Sequence, residues 1–185
     1  MISVWSLVLG LPLLVFGVGA IVAFSRMKAF VEWFEKSSVV AAVLTAVGWA
    51  WTAYECDTIG IDVFDMVLKR FPGELWILAA VLTVLTFLWM RPNLSVRALT
   101  GILMLIPAEL FKVTRVMLPE SGVGAIHLFV VTGYVGAVIG MYGMFYPWRL
   151  EKAMGWMMGR RVCAAVLGVV SAVWGAALIL VGISR

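Results

Sequence analysis

Charge is what this chain has least of. Lys, Arg, Asp and Glu make up 13% of its 185 residues, where a soluble domain carries about a quarter. So few charged side chains cannot cover a water-facing surface, and the outer surface is expected to face lipid. Histidine occurs once, at His127, and cysteine twice, at Cys56 and Cys163. One histidine with scattered carboxylates lacks the convergent spacing of a metal site, and haem held between two histidines of one chain is excluded, though one axial histidine with another ligand is not. Neither a metal nor another cofactor is expected. There is no phosphate-binding loop, zinc-protease motif or serine elbow, and no catalytic pair inside an apolar segment. Met1 to Trp5 carry no basic side chain, and no clear small-residue cleavage site follows, so the first apolar segment is expected to be a retained span and not a signal peptide.

What the chain has instead is apolar length. Apolar residues make up 64% of it, and its mean hydropathy is +1.08. Six continuous apolar runs stand out: Val4 to Phe24, Ser38 to Tyr54, Gly73 to Met90, Arg97 to Met117, Gly124 to Tyr146 and Val162 to Ile183. Each is close to the ~20 residues that cross a bilayer core as a helix. The runs are continuous and not alternating, which suits helices and not a barrel. The expected fold is an all-α polytopic membrane protein. Its six transmembrane helices would form hairpins at 4–54, 73–117 and 124–183, with short amphipathic helices at the interface.

The net charge of +4 does not point to nucleic acid here, because the basic residues sit between apolar runs. Arg26, Lys28 and Lys36 follow the first run, Arg91 and Arg97 bracket the link after the third, and Arg149, Lys152, Arg160 and Arg161 follow the fifth. The second connection holds Asp57, Asp62 and Asp65. The positive-inside rule then places the basic links in the cytoplasm and both termini outside. Cys56 and Cys163 fall on opposite sides in this topology, too far apart for a disulfide.

Trp33 and Trp156 are 123 residues apart, and the same shift aligns Gly10 with Gly133, Gly17 with Gly140, Arg26 with Arg149 and Trp51 with Trp174. The run Ala41-Ala42-Val43-Leu44 falls on Ala164-Ala165-Val166-Leu167. An even number of spans separates the two copies, so this is a parallel repeat of a hairpin unit. The middle hairpin shares the layout but few residues. In the first copy, Met27, Phe30, Trp33 and Phe34 recur at helical spacing among Arg26, Lys28, Glu32, Glu35 and Lys36. In the second, Trp148, Met154, Trp156 and Met157 recur after Pro147, a residue suited to a helix start. Both stretches read as short interfacial helices anchored by Trp33, Trp148 and Trp156.

The segment Gly143-Met144-Phe145-Tyr146-Pro147-Trp148-Arg149-Leu150, followed by Trp156, Arg160-Arg161 and an Ala/Val/Gly-rich span ending Leu180-Val181-Gly182, resembles the small two-helix inner-membrane proteins of bacteria called YjeT-like. The resemblance covers the C-terminal third, more loosely the N-terminal hairpin, and not the middle. It implies the bacterial inner membrane and brings no activity with it.

The fourth run carries the most unusual chemistry. Glu109 lies twelve residues past Arg97, about 18 Å along a helix, inside the hydrocarbon toward its outer part. Lys112 is one turn on and shares its face. Pro107 precedes both and predicts a kink. A charge at this depth needs a partner, and Lys112 offers one. Glu55, Asp57, Asp62, Asp65, Lys69, Arg70, Glu74, Arg115 and Glu120 are expected to collect at the outer end, with His127 at the depth where Cys56, Asp57 and Glu109 could approach. Glu74 suits a helix N-terminus after Pro72, Ile59 to Lys69 has helical apolar spacing, and His127 is expected to be hydrogen-bonded locally. Glu109, Lys112, Arg115, Glu55, Asp57 and His127 are therefore the candidate ligand or ion pathway. Gly133, Gly136, Gly140 and Gly143 are the candidate helix-packing face. Three function classes follow. The first is a non-catalytic subunit or scaffold of a larger bacterial inner-membrane assembly, partnered by lipid, by other membrane subunits or by itself. The second is a small-solute or ion transporter or channel using Glu109. The third is an outer-leaflet lipid or quinone enzyme.

Overall fold

The computed structural model describes residues 2–59, 73–89, 93–117 and 123–183, and every regular element among them is an α-helix. In chain order they are α1 (Ile2–Val22), α2 (Phe24–Lys36), α3 (Ser38–Ile59), α4 (Glu74–Trp89), α5 (Leu94–Met117), α6 (Val123–Phe145), α7 (Pro147–Gly159) and α8 (Arg161–Ile183). Five of these, α1, α3, α5, α6 and α8, are long and apolar enough to cross a membrane. The third apolar run forms a shorter helix, α4, of 16 residues, about 24 Å long at the standard rise. The helix expected over Ile59 to Lys69 lies, past Ile59, outside the described residues, as do Asp62, Asp65, Lys69, Arg70, Arg91 and Glu120. Pro107 falls inside α5, which continues past it to Met117.

The two short helices arise from matched breaks in the chain. Ala23, between α1 and α2, has φ −121° and ψ 47°. Tyr146, between α6 and α7, has φ −127° and ψ 57°. Each still donates its backbone N–H one turn back at 2.9 Å, Ala23 to Gly19 and Tyr146 to Tyr142, so the axis turns without leaving that amide unbonded. The second breaks, at Ser37 and Arg160, both have extended ψ values, 113° and 114°. Adding 123 to Val22, Phe24, Lys36 and Ser38 gives 145, 147, 159 and 161, the residues that bound α6, α7 and α8. Pro147 occupies the first turn of α7, where its missing N–H costs nothing. The helices α2 and α7 meet at one end of the bundle. There Val31, Met158 and Ala164 form a buried cluster with Phe16, Phe24, Met154 and Leu167.

The longest helix contact joins the two ends of the chain, α1 against α8. Gly10 meets Gly175 and Gly17 meets Gly168, so the two helices are antiparallel. A Cβ built on Gly17 would stand 2.5 Å from Gly168 O and from Ala172 N. These are backbone atoms with no rotamer to yield. A second antiparallel pair, α5 with α6, is made the same way. A Cβ on Gly140 would lie 2.7 Å from Thr100 O and from Met104 Cγ. The third large pairings put α3 between α4 and α5. A second core cluster of Leu110, Phe129 and Leu178, with Trp5, Leu13 and Trp174 against it, ties α1, α5, α6 and α8 together.

Gly17→Ala forces the α1 and α8 backbones apart and is expected to destabilise the protein by about 1–3 kcal/mol, the range for overpacking. Gly155→Ala on α7, where nothing lies within 4 Å of the added carbon, is expected to be neutral or stabilising through helix propensity. Thermal unfolding of the two variants in detergent checks this, and equal effects would contradict it.

Candidate functional site

The helices α3 and α5 run side by side in the same direction. At the end near α2, Ser95 Oγ donates to Ser37 O at 3.3 Å. Midway, Gly48 faces Ile102. At the far end, Lys112 Nζ donates to Glu55 Oε2 at 2.6 Å. This parallel register brings Glu55 and Lys112 to one level.

Lys112 also donates to Glu109 Oε1 at 3.0 Å across one turn of α5, the spacing at which side chains three apart meet. The other oxygen of Glu55, Oε1, accepts from Trp51 Nε1 at 3.1 Å. The Trp51 ring stacks on Trp5 of α1, with centroids 5.9 Å apart. One ammonium and two carboxylates thus link α3 to α5, and a stacked indole carries the link to α1. Glu55 is the buried member, 4% exposed, while the Lys112 side chain is 43% exposed. The buried carboxylate has a hydrogen bond at each oxygen, which meets the requirement for keeping a charge inside. The arrangement is a fixed cross-link.

The structure therefore brings together Glu55, Glu109 and Lys112 of the expected cluster. Asp57 lies on the last turns of α3 and is exposed, and His127 is exposed on α6. Arg115 lies on α5 just past Lys112, its side chain outside the described residues. Gly133, Gly136, Gly140 and Gly143 all turn to α5, meeting Phe111, Leu103, Met104 and Thr100 in that order. Trp33, Trp148 and Trp156 are each more than half exposed, and Arg160 lies over the Trp156 ring at 4.8 Å. Both cysteines are free thiols. Among the described residues no three His, Cys, Asp or Glu side chains converge as a metal site would require.

One participant and one pairing escape sequence reading. Trp51 is visible in the sequence only as a repeat match, and its bond to Glu55 four residues on was available from helical spacing alone. Its counterpart Trp174 also donates its indole N–H inside the bundle, to Thr132 Oγ1 at 2.9 Å. The partnership of Glu55 with Lys112 needs the parallel register of α3 and α5, which hairpin topology implies but does not align. No family model, no curated protein and no solved structure matches this chain.

Lys112→Met strands the buried Glu55 charge. A hydrogen bond to a charged group contributes about 1.5–3 kcal/mol, reduced here because Lys112 is partly exposed. The expected coupling between Lys112→Met and Glu55→Gln in a double-mutant cycle is about 1–2 kcal/mol. Glu109→Gln should couple to Lys112→Met more weakly than Glu55→Gln does. Chemical denaturation in detergent micelles measures it. A coupling near zero would mean that the three groups do not form one unit.

Proposed function

We propose that the chain is a small non-catalytic subunit or scaffold of a larger bacterial inner-membrane assembly. One observation carries this reading. Among the described residues, the charged groups farthest from the ends of the long helices, Glu55, Glu109 and Lys112, are consumed by one another in an interhelical cross-link. Between Arg97 and Glu109, α5 carries no charged side chain, and α1 carries none along its length. A transport route through Glu109 would need a relay of polar groups leading away from it. Here Glu109 is bonded to the lysine on its own helix.

The outer faces fit an assembly. On α4 only Ala79 is buried. Trp76, Ile77, Val84, Leu88 and Trp89 are each more than half exposed, a continuous apolar surface for lipid or for a neighbouring helix. Six spans are supported by the direction of the chain. Because α3 and α5 are parallel and in register from Ser37 to Glu55, the chain must return the length of the bundle between them. Within the described residues α4 is the helix placed to do so, bound to α3 through Trp49 Nε1 and Thr86 Oγ1 at 3.1 Å. Packing α2 on α7 gathers Arg26, Lys28, Lys36, Arg149 and Lys152 at one end, which supports a cytoplasmic face there and termini in the periplasm. The matched breaks at Ala23 and Tyr146 support descent of the outer thirds from one duplicated unit of span, short helix and span. The likeness to YjeT-like hairpins rests on residues 143–182 and belongs to the same proposal.

Purification at native expression level in mild detergent is expected to bring down one or more membrane proteins in fixed stoichiometry with this chain, read by size-exclusion chromatography and mass spectrometry. A lone monomer across several mild detergents would overturn the subunit reading.

A further inference from the structure

An elongated cavity of about 510 Å³ lies between α3, α4 and α5, with Met144 and Phe145 at the end of α6 forming part of its wall. Its polar groups, one excepted, are already bonded. Thr45 Oγ1 donates to Ala41 O at 2.7 Å, Thr52 Oγ1 to Gly48 O at 2.9 Å, and Trp49 Nε1 to Thr86 Oγ1 at 3.1 Å. What these walls offer a ligand is apolar surface. The space exists because two facing helices place glycine against it. A Cβ built on Gly101 would meet nothing within 4 Å, and one on Gly48 only Ile102 Cγ1 at 3.7 Å.

The exception is Arg97. It lines the cavity from the first turn of α5. Its Nε is enclosed and bonded to nothing, and no ion pair reaches its guanidinium among the described residues. Arg97 as a whole is half-buried, so the rest of the guanidinium stays open to a ligand; a permanent cation with one enclosed donor and no counter-charge is best satisfied by an anion. The adjoining cavity wall calls for an apolar chain attached to that anion. Beside it, sharing Leu94, lies a mixed cleft in which Ala41 and Phe87 stand with Glu35, Lys36 and Ser95. Burial first, then the neighbouring Glu151 and Glu32, hold the Glu35 carboxyl above its ordinary range, with Lys36 opposing. That weakens its repulsion of an anion at Arg97.

We propose that this cavity binds one anionic phospholipid, an acyl chain lying along Gly48 and Gly101 and the phosphate on the Arg97 guanidinium. The volume falls in the range of ligand sites, about 300–1,000 Å³. From Arg97 to Leu105 the cavity wall runs about 12 Å along α5, enough for much of an acyl chain. A guanidinium fork pairs with two phosphate oxygens at once, and basic pockets between membrane helices on the cytoplasmic side are where anionic headgroups bind. The proposal does not depend on the subunit reading, since a lipid site serves the chain with or without protein partners.

The test titrates the detergent-purified full chain with phosphatidylglycerol and with phosphatidylcholine of identical acyl chains, counting bound lipids by native mass spectrometry. The first phosphatidylglycerol is expected to bind about tenfold tighter than phosphatidylcholine, equivalent to ~1.4 kcal/mol. Arg97→Gln should abolish that preference, and Arg97→Lys should retain most of it. Gly101→Phe, which fills the cavity, should weaken both lipids, whereas Arg26→Gln on the exposed side of α2 should change neither. Inorganic phosphate in millimolar excess should not displace the lipid. An unchanged preference in Arg97→Gln would overturn the proposal, as would unchanged lipid binding in Gly101→Phe or displacement by phosphate alone. Should Arg97→Gln fail to yield folded protein, Arg97→Lys and Gly101→Phe decide the matter by the same criteria.

Discussion

Where α1 crosses α8, the two backbones come so close that a single methyl group at Gly10, Gly17, Gly168 or Gly175 would collide with main-chain atoms of the opposing helix. In lipid there is little hydrophobic force to push helices together, so association rests on close van der Waals packing and on hydrogen bonds. The first and last helices of the chain satisfy this by omitting side chains. Their contact packs the first described helix along the last. It brings Trp5 to Trp51 at one end and Phe16 to the α2–α7 cluster at the other. The charged cross-link depends on it too, because the indole that bonds Glu55 is held from behind by a residue of α1.

Polar chemistry inside the bundle follows one economy. Threonines at 45, 52, 83 and 132 bond to carbonyls one turn back on their own helices. Tryptophans at 49, 51 and 174 donate to a threonine or a glutamate. Glu55, Lys112 and Glu109 satisfy one another. Against that background two atoms depart, Glu35 Oε1 and Arg97 Nε, both enclosed and without a hydrogen-bond partner, and Arg97 sits beside a cavity that two glycines leave unfilled.

Much of the architecture was legible because continuous apolar runs have one reading in a membrane. The short helices at 24–36 and 147–159 were legible from the spacing of Met27, Phe30, Trp33 and Phe34 and from Pro147. The 16-residue extent described for α4 was not, because a continuous apolar run does not mark where a helix begins within it. Of the candidate site, Glu109 and Lys112 announced their pairing by sitting three residues apart. Glu55 did not announce its own, because a contact 57 residues away in sequence depends on the register of α3 against α5. The partner of α1 was likewise out of reach. Gly10 and Gly17 show that something packs closely there, but any small-residue face on the other helices satisfies the same pattern. Arg97 reads in sequence as a topology-setting residue at a loop, and only the cavity beside it gives it a second meaning.

The packing of α1 against α8 is tested most directly by joining the two helices. In a background carrying Cys56→Ser and Cys163→Ser, the pair Leu13→Cys and Leu178→Cys places two thiols in one packed cluster of α1 and α8. Mild oxidation, or a short thiol-specific cross-linker in native membranes, should join them within a single chain, while Leu13→Cys paired with Leu85→Cys on the exposed face of α4 should stay unlinked. Absence of the 13–178 link, or a link formed only between separate chains, would contradict the packing of the first helix against the last.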